Sequence, residues 1–203
     1  LKLLSTEELN RARRFHFHRD SQKYIIGRAL LRWILGQYTQ IKPQDIEFTY
    51  NSYGKPFLKN FMGLNFNLAH SHDVIVVALT TGASIGVDVE YIRENLDNEE
   101  IAEHYFSKSE AATLRSLPAC EKASGFFRCW TRKEAYIKAK EKGLSLPLKQ
   151  FDVTLSPDDP PRLLRTSFNE TKRWNLYNLN PAENYAGAVA IDSPLSNIHY
   201  FSI

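Results

Sequence analysis

The chain has 203 residues, 43% of them hydrophobic and 24% charged, with a formal net charge of +3 at pH 7. That balance fits one medium domain or two small fused halves with a sizeable core, and excludes a disordered or fibrous chain. No apolar run is long enough to span a membrane, no signal-peptide pattern is present, and so small a net charge gives no reason to expect a nucleic-acid partner.

Ser5-Thr6-Glu7-Glu8 has the form of a capping box, with Glu8 three residues after Ser5, and predicts a short helix opening there. A second helix is predicted over about 20–39, where Tyr24, Ile26, Leu30, Leu31, Trp33, Ile34 and Tyr38 recur at helical spacing. Pro43 ends it. Residues 1–42 carry nine basic and three acidic side chains, a local field that attracts polyanions. Strands are predicted at 46–50, 65–69 and 74–80, and Asn51-Ser52-Tyr53-Gly54 forms a turn ahead of Lys55-Pro56.

A further strand is predicted at 84–90, then a polar, acid-rich stretch at 94–104 and a second capping box, Ser107-Lys108-Ser109-Glu110. A long helix over about 121–141 ends at Gly143, and strands follow at 150–155, 173–179, 185–191 and 197–202. The order is helices then strands, twice, with no sequence repeat at a fixed period. It predicts an α+β fold of two similar halves meeting near residue 84, each a small antiparallel sheet packed on helices. Met62 is the only methionine, so sequence ahead of Leu1 is expected, and the cytoplasm is the default location. Cys120 and Cys129 lack metal-binding spacing and read as reduced thiols.

Two stretches carry chemistry. In SIGVDVEYI (84–92), Asp88 and Glu90 stand two apart on one face of an apolar strand. Side by side they repel, and need solvent, basic partners or a metal ion. In CWTRKEAYIKAKEKGLSLPL (129–148), Glu134 and Lys138 share a helix face. Trp130, Ala135 and Ile137 give that helix a buried side, so Glu134 is placed to join the other two acids. Three carboxylates without a thiol or imidazole cluster favour a hard cation, Mg²⁺ above all. With a basic N-terminal region for phosphates and Lys138 for developing charge, the residues point to Mg²⁺-dependent chemistry on a phosphorylated small molecule.

IGVDVE (85–90) followed by WTRKEAYIK (130–138) resembles the paired signature of the 4′-phosphopantetheinyl transferases. RRFHFHRDSQKYIIGRALLR (13–32), YGKPFL (53–58), FNLAHSH (66–72) and KGLSLPL (142–148) resemble further segments of the type that activates surfactin synthetase. The similarity runs from residue 5 to about 155. In that type two units are fused as a pseudo-dimer with one site between them. For this chain it implies an N-terminal half, 1–84, contacting the nucleotide of coenzyme A, and a C-terminal half, 85–203, supplying the metal and catalytic residues.

The resemblance implies transfer of 4′-phosphopantetheine from coenzyme A to a serine of an apo acyl- or peptidyl-carrier protein, with release of 3′,5′-ADP. Asp88, Glu90 and Glu134 match Mg²⁺ ligands, with Mn²⁺ as a substitute. Glu134 is the candidate base, a metal-bound water the alternative. Lys138 matches the lysine that steadies pyrophosphate charge. His70 matches a histidine on a coenzyme A phosphate, and Lys55 a residue near the nucleotide. Arg11, Lys23 and Arg28 are candidates for the 3′-phosphate, two of the three being expected to serve. A monomer without nucleic-acid or membrane partners is expected. Residues 105–123, with Tyr105, Phe106, Leu114, Leu117, Lys108, Arg115 and Lys122, are expected to form a mobile carrier-docking region. Ala69 stands where relatives often have serine, a contact of about 1 kcal/mol, and Ser71 is expected on the opposite strand face and unable to replace it. No P-loop or GxGxxG supports a nucleotide hydrolase.

Overall fold

The computed structural model describes residues 3–61, 63–141, 146–194 and 197–202. Its first half runs α1 (Thr6–Ala12), α2 (His18–Thr39), β1 (Phe48–Tyr50), β2 (Pro56–Leu58), β3 (Leu64–Ser71) and β4 (Val74–Thr81). The second runs β5 (Ile85–Tyr91), α3 (Asn98–Tyr105), α4 (Lys108–Ser116), α5 (Ala119–Lys140), β6 (Phe151–Val153), β7 (Leu163–Thr166), β8 (Asn175–Leu179) and β9 (Tyr185–Ile191). All pairing is antiparallel: β1 with β2, β3 with β4, β6 with β7, and a sheet in the order β5-β9-β8. The fold is α+β, as the order of predicted elements indicated.

The two halves repeat one device. The Ser5 and Ser107 hydroxyls accept the N–H groups of Glu8 and Glu110, and those carboxylates return to the serine amides. Each carboxylate then meets a buried cation on the long helix. Glu8 Oε2 lies 2.6 Å from Arg32 Nε, and Glu110 Oε1 lies 2.7 Å from Lys133 Nζ. Arg32 donates onward to the carbonyls of Pro43 and Ile46, Lys133 to that of Phe151. Arg32 and Lys133 hold the same position counted from the start of their 22-residue helices. Both helices end on a left-handed residue, Gln40 at φ 61° and Glu141 at φ 60°. A buried ion pair adds little net stability, because desolvation offsets the attraction. Its effect here is to fix each long helix against the strand pair that follows.

β3 and β5 lie side by side with no backbone ladder between them among the described residues. Polar side chains from one face of β3 bridge them instead. Asn65 Nδ2 donates to the Ala83 carbonyl at 2.8 Å, and Asn67 Oδ1 accepts the Val87 amide at 2.8 Å. Ser71 Oγ accepts the Tyr91 amide at 3.1 Å. The other face of β3 is apolar, Leu64 and Phe66 packing with Leu31 and Leu35 of α2.

Several elements differ from expectation. The acid-rich stretch contains α3, capped by Asp97 through the Glu100 amide. β2 and β7 are short strands that were not predicted, and no strand forms over 197–202. Residues 105–123 run from the end of α3 through α4 into α5, with Phe106 and Leu114 fully buried and Tyr105, Lys108 and Arg115 exposed. Gly143, the expected stop of the long helix, lies outside the described residues; the described helix ends at Lys140.

Candidate active site

The site forms where α5 presses on β5. A Cβ at Gly86 would stand 2.1 Å from the Ala135 carbonyl oxygen and 2.4 Å from the Ala139 amide nitrogen. Glycine therefore lets the helix backbone touch the strand. Asp88 and Glu90 follow Gly86 on the same face of β5, and Glu134 and Lys138 flank Ala135 on α5. One close contact thus brings all four side chains together.

Lys138 Nζ donates to Asp88 Oδ1 at 2.6 Å and to the Val87 carbonyl at 3.2 Å. Asp88 is 5% exposed, and its Oδ2 is buried without a hydrogen-bond partner in the structure. Burial, with the nearby charges of Glu134 and Glu90, pushes the Asp88 carboxyl up to about 7 against the pull of Lys138. Glu134 is raised too, by burial and then by Glu90, again against Lys138. Asp88 and Glu134 thus share one electrostatic environment that disfavours their ionised forms.

Among the described residues, no group of three or more His, Cys, Asp or Glu side chains is drawn tightly enough to hold a metal ion as it stands. The donor set nevertheless fits a hard cation. It offers carboxylate oxygens only, one of them buried and unpartnered, in a cluster whose mutual repulsion a divalent ion would relieve.

Glu90 has a partner that sequence reasoning missed. Ser71 Oγ donates to Glu90 Oε2 at 2.8 Å. The expectation that Ser71 faces away from Ala69 is wrong. Residues two apart on a strand share a face, and Ala69 and Ser71 are both buried, at 4% and 8%. It is His70 that alternates outward, exposed at the end of β3 on the side α2 covers. Tyr38, near the C-terminal end of α2, and Leu64, at the start of β3, line one hollow.

The other basic candidates are differently engaged. Arg28 Nε lies 2.5 Å from Glu8 Oε1, and its guanidinium stacks 4.4 Å from the Phe48 ring centroid. Arg11 is exposed, its guanidinium 5.4 Å from the Tyr24 ring centroid, and Lys23 is half-buried. Lys55 Nζ donates to the carbonyls of Ile85 and Lys138, both at 3.0 Å, and to Glu141 Oε1 at 3.2 Å. Burial lowers its pKa against the attraction of Glu141. Lys55 thus ties the turn before β2 to the start of β5 and the end of α5, and Asn51 adds a bond to the Glu141 carbonyl at 3.0 Å.

Around the expected docking region, Tyr105 is 52% exposed with its ring edge-on to Trp130. Lys108 is exposed, Arg115 pairs with Glu103, and Lys122 lies 2.5 Å from Glu99. Cys120 is exposed, Cys129 is buried, and both are free thiols. Among the described residues, no helix is long and apolar enough to cross a membrane.

Comparison with known proteins assigns the chain to a family. Residues 84–190 match the model of the 4′-phosphopantetheinyl transferase superfamily, and residues 1–82 match a model described as 4′-phosphopantetheinyl transferase, N-terminal. The chain is 39% identical over 191 residues to the 4′-phosphopantetheinyl transferase HetI of Nostoc, covering 93% of this chain and 78% of that one. It is 33% identical over 158 residues to Sfp of Bacillus subtilis, covering 78% and 69%. Psf-1 of Bacillus pumilus is 33% identical over 196 residues, covering 97% and 82%. A solved holo-[acyl-carrier-protein] synthase of Thermotoga maritima overlaps 53% of this chain and 61% of its own, at a TM-score of 0.44 and 19% identity.

Proposed function

Because this chain belongs to the 4′-phosphopantetheinyl transferase superfamily, we propose that it moves 4′-phosphopantetheine from coenzyme A to a serine of an apo acyl- or peptidyl-carrier protein. The observation that carries this reading is the meeting of Asp88, Glu90, Glu134 and Lys138 at the α5–β5 contact, with Asp88 Oδ2 buried and unpartnered. Asp88, Glu90 and Glu134 are the residues for Mg²⁺, or Mn²⁺ in its place. Bound there, the ion supplies neutralisation of pyrophosphate charge and polarisation of the phosphoryl group.

The chain's own residues account for the remaining steps. The carrier serine oxygen bonds to the β-phosphorus of coenzyme A, and the bond from that phosphorus to the bridging oxygen breaks. The electron pair leaves with 3′,5′-ADP, and the serine proton passes to Glu134. Lys138, on the same helix face, donates to the pyrophosphate as charge builds there. His70, Arg11 and Lys23 meet the phosphates at the nucleotide end. Lys55 supports the site from behind, through the carbonyls of Ile85 and Lys138, while Arg28 is engaged by Glu8.

In this reading residues 1–84 supply the nucleotide contacts and residues 85–203 the metal and catalytic groups. One chain then holds both halves of its site and acts as a monomer, in the cytoplasm. The test is the intact mass of an apo carrier protein incubated with the chain, coenzyme A and Mg²⁺. A gain of one phosphopantetheine group that EDTA abolishes is the expected result. No gain on any of several unrelated carriers overturns the reading.

A further inference from the structure

Ser71 is the last residue of β3, in the half of the chain that carries none of the three clustered acids. Its side chain is buried, and both of its hydrogen-bonding roles are taken. The Tyr91 amide can only donate, so Ser71 Oγ accepts from it, at 3.1 Å. The hydroxyl proton is thereby left for Glu90 Oε2, at 2.8 Å. Glu90 and Tyr91 are consecutive on β5, so one hydroxyl grips both the backbone and the acidic side chain at this point of the strand. Asn67, on the same face of β3, accepts the Val87 amide one residue before Asp88. The strand that carries both acids is therefore aligned from the first half by two polar side chains, in place of a backbone ladder.

A half-exposed glutamate on a strand has three rotatable side-chain bonds, and ordering them costs entropy each time a ligand binds. A hydroxyl that donates to one carboxylate oxygen removes much of that freedom in advance and leaves the other oxygen for a cation. Partners of this kind, one bond behind a metal ligand, set its orientation, and their loss typically weakens metal binding about 10–100-fold.

We propose that Ser71 is a positioning residue for the metal set, holding Glu90 in its ligating orientation and coupling the first half of the chain to the ion. This rests on the metal reading given above. The experiment uses the full chain as wild type, Ser71→Ala and Ser71→Thr. Mn²⁺ is titrated in the presence of coenzyme A without carrier, and free ion is read by electron paramagnetic resonance. Ser71→Ala should bind Mn²⁺ about tenfold more weakly. Ser71→Thr, which keeps the hydroxyl and suits a strand, should recover most of the loss. Coenzyme A affinity in EDTA should stay level across the three, while Tm falls in Ser71→Ala alone, which leaves the Tyr91 amide without its acceptor.

Equal Mn²⁺ affinity in wild type and Ser71→Ala overturns the positioning role. So does an equal fall in Ala and Thr, or a fall matched by an equal loss of coenzyme A affinity in EDTA. If the positioning role fails in this way while the wild type still transfers phosphopantetheine, the functional reading stands. A wild type that neither binds Mn²⁺ nor transfers overturns both.

Discussion

Two lysines five residues apart in WTRKEAYIK have opposite work. Lys133 is fully buried, bonded to Glu110 and to the Phe151 carbonyl, with its ammonium 4.3 Å from the Phe151 ring centroid. The side chain of Lys138 is 30% exposed at the site. Lys133→Ala leaves Glu110 buried without its cation and should destabilise the protein by about 3–5 kcal/mol, read in a denaturant melt. Lys138→Ala should lower that melt less, because Asp88 can take up a proton once its cation is gone, while transfer collapses. Asp88→Asn and Glu134→Gln separate the same two properties. Each removes a charge whose burial is unfavourable, so Tm should hold, while transfer should fall by about a hundredfold or more. Full transfer in both would remove these acids from the site. Spacing alone made Glu134 and Lys138 neighbours on a helix. It could not tell that Lys133 turns inward, because that depends on Glu110, which is distant in sequence. Ser71 was legible from strand alternation, had that rule been applied to Ala69 as it was to Asp88 and Glu90.

At the scale of elements, Gly86 decides how close α5 comes to β5. Gly86→Ala puts a methyl group against helix backbone, which cannot swing aside as a side chain can. Overpacking of this kind should cost about 3 kcal/mol. Transfer should fall further than the loss of folded protein explains, because Glu134 and Lys138 move away with the helix. Activity per folded molecule, measured beside the melt, checks this. Long periodic segments were plain in the sequence: α2, α5, β3, β4, β5 and β9 all fall where apolar residues recur at helical or strand spacing. α3 was missed because its eight residues are mostly polar, though Asp97 and Glu100 offered a capping signal. β2 and β7 are too short, at three and four residues, for a period to show. Residues 197–202 have strand-like residues such as Tyr200 and Phe201, but these are exposed and pair with no strand among the described residues. Pairing depends on a neighbour, which local pattern does not contain.

For the whole molecule, the Glu8 copy of the carboxylate–cation device ties stability to pH. Burial opposes the charge on Glu8, but the Ser5 amide, Arg28 and Arg32 outweigh it and hold the carboxyl below its ordinary value of 4.5. The stabilisation is therefore complete above the unfolded carboxylate's pKa and is lost as pH falls through the lower folded value. Glu8→Gln should lower Tm at neutral pH and flatten its decline toward acid, so that the two melting curves converge below the ordinary carboxylate range. Parallel curves would show that the pair has no part in acid unfolding. The repeat is also unequal. Where α5 has Glu134 and Lys138, the matching positions of α2 hold Trp33 and Gln37. Two copies of one frame thus carry a single set of charges, and substrate stoichiometry follows the set rather than the frame. A calorimetric titration should saturate at one coenzyme A per chain. A second equivalent would mean that the uncharged copy has kept a pocket of its own.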